Sequence, residues 1–369
     1  MNVLVAIDTI KNFEDSVKIG QIFKDKLDMK AYPIPFLDGG EGTIESVKFI
    51  SGGKDHYVNV HDPLGEAITA KYLLDDGFAT IEMAESSGLS LLYKEDLDVM
   101  EASSLGLGEV FVDALNNGAD SFYIGIGDSA CNDMGMGVLY ALGARFYDDE
   151  GKGLSPKAKN LAKVARIDID DMDPRFIRSK IKLATSSDLT LFGDNSFLET
   201  RAYRKGASDL DVAKLYKGCK NFAAKTSELL GIDEIDFPSL GSGGGVAWAL
   251  YTYFKAKISK PMDYILQRID FPNLVRDMDF LLLGEDLSQF DGISSINMAK
   301  LAKRYKEDIK IIFLHDKKDE KYIDDNVFDY VYEYDIGDDL DRKSLIESIE
   351  DLAQRINDDE IFSQVKKRN

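Results

Sequence analysis

Segments that read as strand and as helix alternate at both ends of this 369-residue chain, and the alternation lapses between them. At the start, "NVLVAID" reads as a strand, residues 13–27 as a helix, "AYPIP" as a strand, and "FLDGGEGTIESVKFI" as a loop opening a second helix. Near the end, "DFLLLGE", "IKIIFLHD" and "DYVYEYD" read as strands, with "INMAKLAKRY" and "SLIESIEDLAQRI" as helices. Strands joined through helices pair in parallel, and a parallel sheet collects ligands at the carboxyl ends of its strands. The expected fold class is therefore α/β with two domains. One is a Rossmann-like parallel sheet built from both chain ends, residues 1–60 plus 275–369. The other is an inserted α/β domain with a mixed sheet, residues 61–274, and the active-site cleft is expected between them. The change of texture comes at "HYVNV", "AITAKYLL" and "ATIEMA", which read as successive extended strands around the turn "HDPLGE". Within the insertion, "SFYIGIG" and "KIKLATS" read as strands, residues 209–230 as a long helix, and "GVAWALYTYFKA" as a buried helix entered through the turn "GSGGG".

Charge narrows the partners. A net charge of −21 with no basic patch repels nucleic acid and anionic membrane alike. The mixed-sign "KKDEKYIDD" and the short tail "QVKKRN" read as solvated surface. The apolar run at the N-terminus is too brief for a signal peptide, and the long uncharged run 237–254 carries a proline and glycines, so a cytoplasmic location is expected. Cys131 and Cys219 cannot build a disulfide framework, and with only His56, His61 and His315 there is no Cys/His zinc spacing. Acid–base chemistry falls on carboxylates and lysines.

Two glycine-rich stretches stand at helix mouths. Asp38, Gly39, Gly40, Glu41, Gly42 and Thr43 precede an amphipathic helix, where free N–H groups and the positive dipole end attract an anion. The alternative is a turn with Thr43 as N-cap. Gly125, Gly127 and Ala130 follow a strand and open a helix, with Asp148 and Asp149 beyond the next short strand. That spacing admits a nicotinamide dinucleotide reading. A phosphate or carboxylate cradle built from Ser129, Asn132, Asp133 and the glycines explains the same residues with fewer demands.

Taken together, these stretches resemble the glycerate kinases of the bacterial type, in that family's order along the chain. "AIDTIKNFEDS" is similar to a family opening, Asp-Ser-Phe-Lys-Gly, which carries Asp8 and Lys11. "LDGGEGT" matches the family's Asp-Gly-Gly-Glu-Gly-Thr throughout. "DPLGE" and "IEMAESSGLSLL" resemble the next landmarks. "GIGDSACNDMG" is similar to Gly-Ile-Gly-Gly-Ser-Ala-Thr-Asn-Asp-Gly-Gly, keeping Ser129, Asn132 and Asp133. The resemblance implies transfer of a phosphoryl group from ATP to a hydroxyl of glycerate or a related small hydroxy acid, with Mg2+, in a chemistry that rests on positioning and charge stabilisation. It implies Asp133, Lys11 and Asp188 as catalytic residues. It places Asp8, the 38–43 loop, Ser129, Asn132, Lys205, Gly284 and Glu285 around substrate and phosphates, leaves the metal ligands open, and admits a homodimer.

The chain also departs from the family pattern. After Gly284-Glu285 the family's Gly-Arg-Leu-Asp-x-Gln run and following Gly-Lys give way to "DLSQFDGISSINMAK". The family's Cys-Asp-Val-Asp-Asn-Pro-Leu becomes "TSSDLTL", keeping Asp188, and its Gln-Lys-Gly-Ala becomes Arg204-Lys205-Gly206-Ala207. Asp128 and Met134 stand where the family has glycine. Either other residues such as Lys205 or Arg204 cover the lost charge, or the chain has changed substrate, or it is a catalytically impaired relative that binds a hydroxy acid in a regulatory or binding role.

Overall fold

The structure, a computed structural model, describes residues 1–8, 16–285, 293–316, 327–334 and 342–359. Among them are thirteen strands: β1 Asn2–Ile7, β2 Lys30–Pro33, β3 Lys54–His61, β4 Ala67–Asp75, β5 Phe78–Glu82, β6 Ser121–Gly125, β7 Arg145–Tyr147, β8 Arg166–Asp168, β9 Lys180–Ala184, β10 Lys257–Ser259, β11 Phe280–Gly284, β12 Lys310–Asp316 and β13 Tyr330–Tyr334. The chain divides into two compact units. The first comprises Met1–Asp38, Glu45–Ser51 and Met262–Asn369, and the second Gly39–Ile44 and Gly52–Pro261.

The first unit holds a five-stranded sheet, all parallel, in the order β13-β12-β11-β1-β2. The two chain ends therefore meet in one sheet, with β1 lying between β2 and β11. Counted along the unit, the order is 2-1-3-4-5, a doubly wound arrangement whose switch point lies between β1 and β11. Both faces of these strands are covered, which is why their sequences read as unbroken apolar runs. Val3, Leu4, Val5 and Ala6 have no exposure, and neither do Leu281, Leu282 and Leu283. On one face the helix Arg342–Asp358 lays down Ile349, Leu352, Ala353 and Ile356, beside Ile19 and Phe23 of Ser16–Lys26. That i, i+3, i+4, i+7 stripe is an amphipathic helix meeting a sheet, and each large side chain so buried contributes about 1.5–3 kcal/mol.

The second unit holds a six-stranded mixed sheet in the order β10-β9-β6-β5-β4-β3. β10, β9, β6 and β5 run parallel, while β4 and β3 join as an antiparallel meander. Because β3 pairs along its whole length with β4, residues 54–60 lie in this unit and not in the first. The first unit in turn resumes at Met262, ahead of residue 275. Aromatic packing anchors the core: Phe176 stacks on Phe111 at 4.9 Å and meets Phe122 and Phe254 edge-on. The long helix is Asp209–Leu230, started by a Ser208/Asp211 capping box and stopped by Gly231 in the left-handed conformation. The buried helix is Val246–Phe254. The nicotinamide reading fails on topology. β7 pairs with β8 in a separate antiparallel ribbon, whereas a dinucleotide fold needs it parallel beside β6, whose neighbours are β5 and β9.

Candidate active site

Parallel pairing aligns four strand ends in the second unit. Glu82, Gly125, Ala184 and Ser259 stand in one register row, so the loops leaving β5, β6, β9 and β10 emerge side by side. The Gly39–Thr43 loop lies directly on this edge. The N–H of Gly127 donates to the carbonyl of Gly39 at 2.8 Å. A Cβ on Gly39, which has φ +91°, would stand 2.3 Å from the Ala184 carbonyl oxygen, and one on Gly127 would stand 2.6 Å from the Cα of Gly40. These glycines are dictated by backbone meeting backbone. Thr43 is the first residue of the helix Thr43–Ser51 and not the residue before it, and its hydroxyl donates to the Gly40 carbonyl at 2.8 Å. Glu41 is held at both ends: its N–H donates to Asp128 at 3.2 Å and its carboxylate accepts from Ser90 at 2.6 Å.

The loop after β6 keeps a glycine-like backbone without the glycines. Asp128 has φ 56° and Met134 φ 55°, both left-handed. Such a conformation costs an ordinary residue about 1–2 kcal/mol, less for aspartate. Met134 offsets part of this by being fully buried.

Inside the loop sits Lys205, which is 7% exposed. Its Nζ donates to Ser129 Oγ at 3.0 Å, to the Cys131 carbonyl at 2.8 Å and to Asn132 Oδ1 at 2.8 Å. All three acceptors are neutral, and among the described residues no carboxylate pairs with it. Burial pulls its pKa down to about 8, against the pull of Cys131 and Asp133 and with help from Arg201 and Arg204. The turn Ala202–Lys205 aims the side chain inward, ending at Gly206 in the left-handed region, where a Cβ would strike the Leu97 carbonyl. Beside Lys205 the buried Nδ2 of Asn132 has no partner.

Asp133, catalytic by the family resemblance, is buried in the same loop. Its carboxylate accepts from the N–H and hydroxyl of Ser104, each at 2.8 Å, and from the N–H groups of Gly135 and Gly137 at 3.1 and 3.0 Å. With no exposure and its acceptor capacity committed, it ties the start of Leu105–Asn116 to the start of Met136–Ala141. Burial still raises its pKa, with the four donors working against that rise. Asp188 lies at the rim of the same sheet edge. It is half exposed, 3.4 Å from Lys260, and its carbonyl accepts from Asn195.

The first unit has its own strand-end group. The N–H of Asp8 donates to the Gly284 carbonyl at 2.8 Å, which sets Asp8 and Glu285 just past the ends of β1 and β11 at the switch point. Both are buried, as is Asp38. Glu285 accepts from the N–H of Ser295 at 2.8 Å, in the first turn of Ile293–Tyr305, where a helix favours negative charge. Burial pushes its pKa up, and the charge of Asp38 adds to the rise. Lys11 and residues 286–292, including Asp286, lie outside the described residues. Two buried residues were not legible as site candidates: Glu82, the last residue of β5, and His315, the last but one of β12. A carboxylate or imidazole closing an apolar strand is the signal that could have found them.

Residues 3–356 match the model of the glycerate kinase family. The chain belongs to the glycerate kinase family. The glycerate kinase of Halalkalibacterium halodurans is 35% identical over 277 residues, 74% of this chain and 73% of its own length. That of Bacillus subtilis is 33% identical over 322 residues, 85% and 84% of the two chains, and the glycerate 2-kinase of Escherichia coli is 30% identical over 83% of each. The crystal structure of a candidate glycerate kinase 2 from Salmonella typhimurium LT2 superposes over 100% of both chains with a TM-score of 0.82 at 27% identity. Membership makes this a phosphotransferase of the kinase type, and its two-unit α/β architecture is that of the solved relative. Among the described residues no helix is long and apolar enough to cross a membrane.

Proposed function

We propose that the chain transfers the γ-phosphoryl group of ATP to a hydroxyl of glycerate or a closely related small hydroxy acid. The observation that carries this reading is Lys205, a buried cation whose hydrogen bonds all go to neutral oxygens. A buried ammonium with no carboxylate hydrogen-bonded to it is costly, and an arriving carboxylate or phosphate would relieve that cost. Ser129 and Asn132, which Lys205 holds, and the Gly39–Thr43 loop would line the same anion, and Asp188 would meet the solvent-side hydroxyl. Asp133 acts by positioning, since its fixed carboxylate holds the loop bearing Ser129 and Asn132.

Bound Mg-ATP supplies the phosphoryl group and neutralises its charge. Mg2+ is commonly held by one or two carboxylates together with phosphate oxygens. Asp38 and Glu285, buried and close enough for one charge to act on the other, fit that demand. Among the described residues no three such side chains gather into a metal cluster, so phosphate oxygens would complete the shell. Lys11 would serve as a phosphate-neutralising cation, and the protein would work in the cytoplasm.

A coupled ADP-release assay over a panel of hydroxy acids tests this, with Lys205→Met beside the wild type. Turnover with glycerate that falls at least about a hundredfold in the variant supports it. A folded protein that binds glycerate, by a rise in melting temperature, yet turns over no acid supports the binding relative instead.

A further inference from the structure

Glu82 takes no part in the scheme above, yet it lies buried beneath the loop that scheme depends on. It closes β5, is 5% exposed, and stands in register with Gly125. Its Oε1 accepts from the N–H of Ile44 at 2.5 Å, and the N–H of Gly42 faces the same carboxyl. Gly125 beside it is equally tight under the loop: a Cβ there would stand 2.7 Å from the Gly39 carbonyl oxygen and 2.8 Å from Thr43 Oγ1.

We propose that Glu82 is a positioning residue for the anion-receiving loop: its carboxyl grips the N–H groups of Gly42 and Ile44 from below and holds the Gly39–Thr43 segment in its receiving form. This rests on the reading of that loop as part of the phosphotransferase site. The charge state matters as much as the geometry. Burial, with the nearby charge of Glu85 from the short helix Ala84–Ser87, raises the pKa of Glu82 to about 8, while Lys71 on β4 and the two backbone donors oppose the rise. At neutral pH the acid is therefore protonated and grips the loop without setting a negative charge beneath an incoming anion. Above about pH 8 it ionises and repels that anion.

Wild type, Glu82→Gln and Glu82→Ala are compared in two measurements: amide hydrogen exchange without ligand, and KM and kcat for glycerate with Mg-ATP from pH 7 to 9. Losing the acceptor in Glu82→Ala is expected to speed exchange at Gly42 and Ile44 by about tenfold and to raise KM more than it lowers kcat. Glu82→Gln keeps an oxygen for Ile44 and should retain protection. Lys205 loses its own charge in the same pH range, so KM should still rise in Glu82→Gln, but less steeply than in wild type. Unchanged exchange at both amides in Glu82→Ala, or superimposable KM profiles for Glu82→Gln and wild type, would overturn the proposal. If no hydroxy acid is turned over, the kinase reading fails separately, and the exchange rates still decide whether Glu82 holds the loop.

Discussion

Three buried ionisable residues in the second unit make separable predictions because each is satisfied in a different way. Asp133 is saturated by four donors, so Asp133→Asn turns an amide N–H2 toward groups that are themselves donors. Such a change should cost about 2–4 kcal/mol of stability, read by urea unfolding. A loss of activity with full stability would instead restore the direct chemical role expected from the sequence. Lys205 has the opposite character, with its protons satisfied and its charge not. Its folded pKa of about 8 lies below the ordinary lysine value of 10.5, so the folded form sheds its proton first as pH rises. KM for the hydroxy acid should therefore climb as pH passes about 8, and Lys205→Met should abolish that share of the climb. Glu82 has a folded pKa of about 8, above the ordinary glutamate value of 4.5. Between those values the folded state holds a proton that the unfolded state has released, so this contribution to stability is full below about pH 4.5 and lost as pH rises to about 8. Relative to Glu82→Gln, the wild type should lose up to about 1.4 kcal/mol per pH unit across that window, measurable as diverging melting temperatures.

At the scale of elements, the glycines divide by what surrounds them. Gly39 and Gly52 both have positive φ, but a Cβ on Gly52 meets nothing within 4 Å whereas one on Gly39 runs into the Ala184 carbonyl. Gly52→Ala should cost about 1 kcal/mol, the left-handed penalty alone. Gly39→Ala should cost about 3 kcal/mol or more and displace the loop. Equal unfolding midpoints for the two variants would contradict the close-packing account. This division was not visible in the sequence, where a glycine for an anion, for a turn and for backbone contact look alike. What could be read was periodicity: apolar runs for β1, β11 and β12, and the long helix Asp209–Leu230. Long-range pairing could not. Nothing local in "HYVNV" tells that it joins the second sheet, and nothing in "ARFYD" tells that β7 leaves β6 for β8. Asp133 shows the same limit at a site, since its four donors come from segments up to twenty-nine positions away in sequence.

Across the whole molecule, several residues singled out by sequence lie past the carboxyl ends of parallel strands. In the first unit these are Asp8 and Glu285 at the β1/β11 switch point, and in the second Ser129 and Asn132 after β6 and Asp188 after β9. Asp128 and Met134 show that the second loop holds its left-handed backbone after losing the family's glycines, so its shape is set by packing and the Lys205 bonds as much as by composition. The account stands on Lys205 being a counter-charge waiting for a small organic anion. The most direct test is isothermal titration of glycerate, and of glycerol as its uncharged counterpart, into wild type and Lys205→Met at pH 7. The account predicts glycerate binding to the wild type, at least about tenfold weaker binding to the variant, and no measurable glycerol binding to either. Equal glycerate affinity in both proteins, with the variant folded, would contradict it.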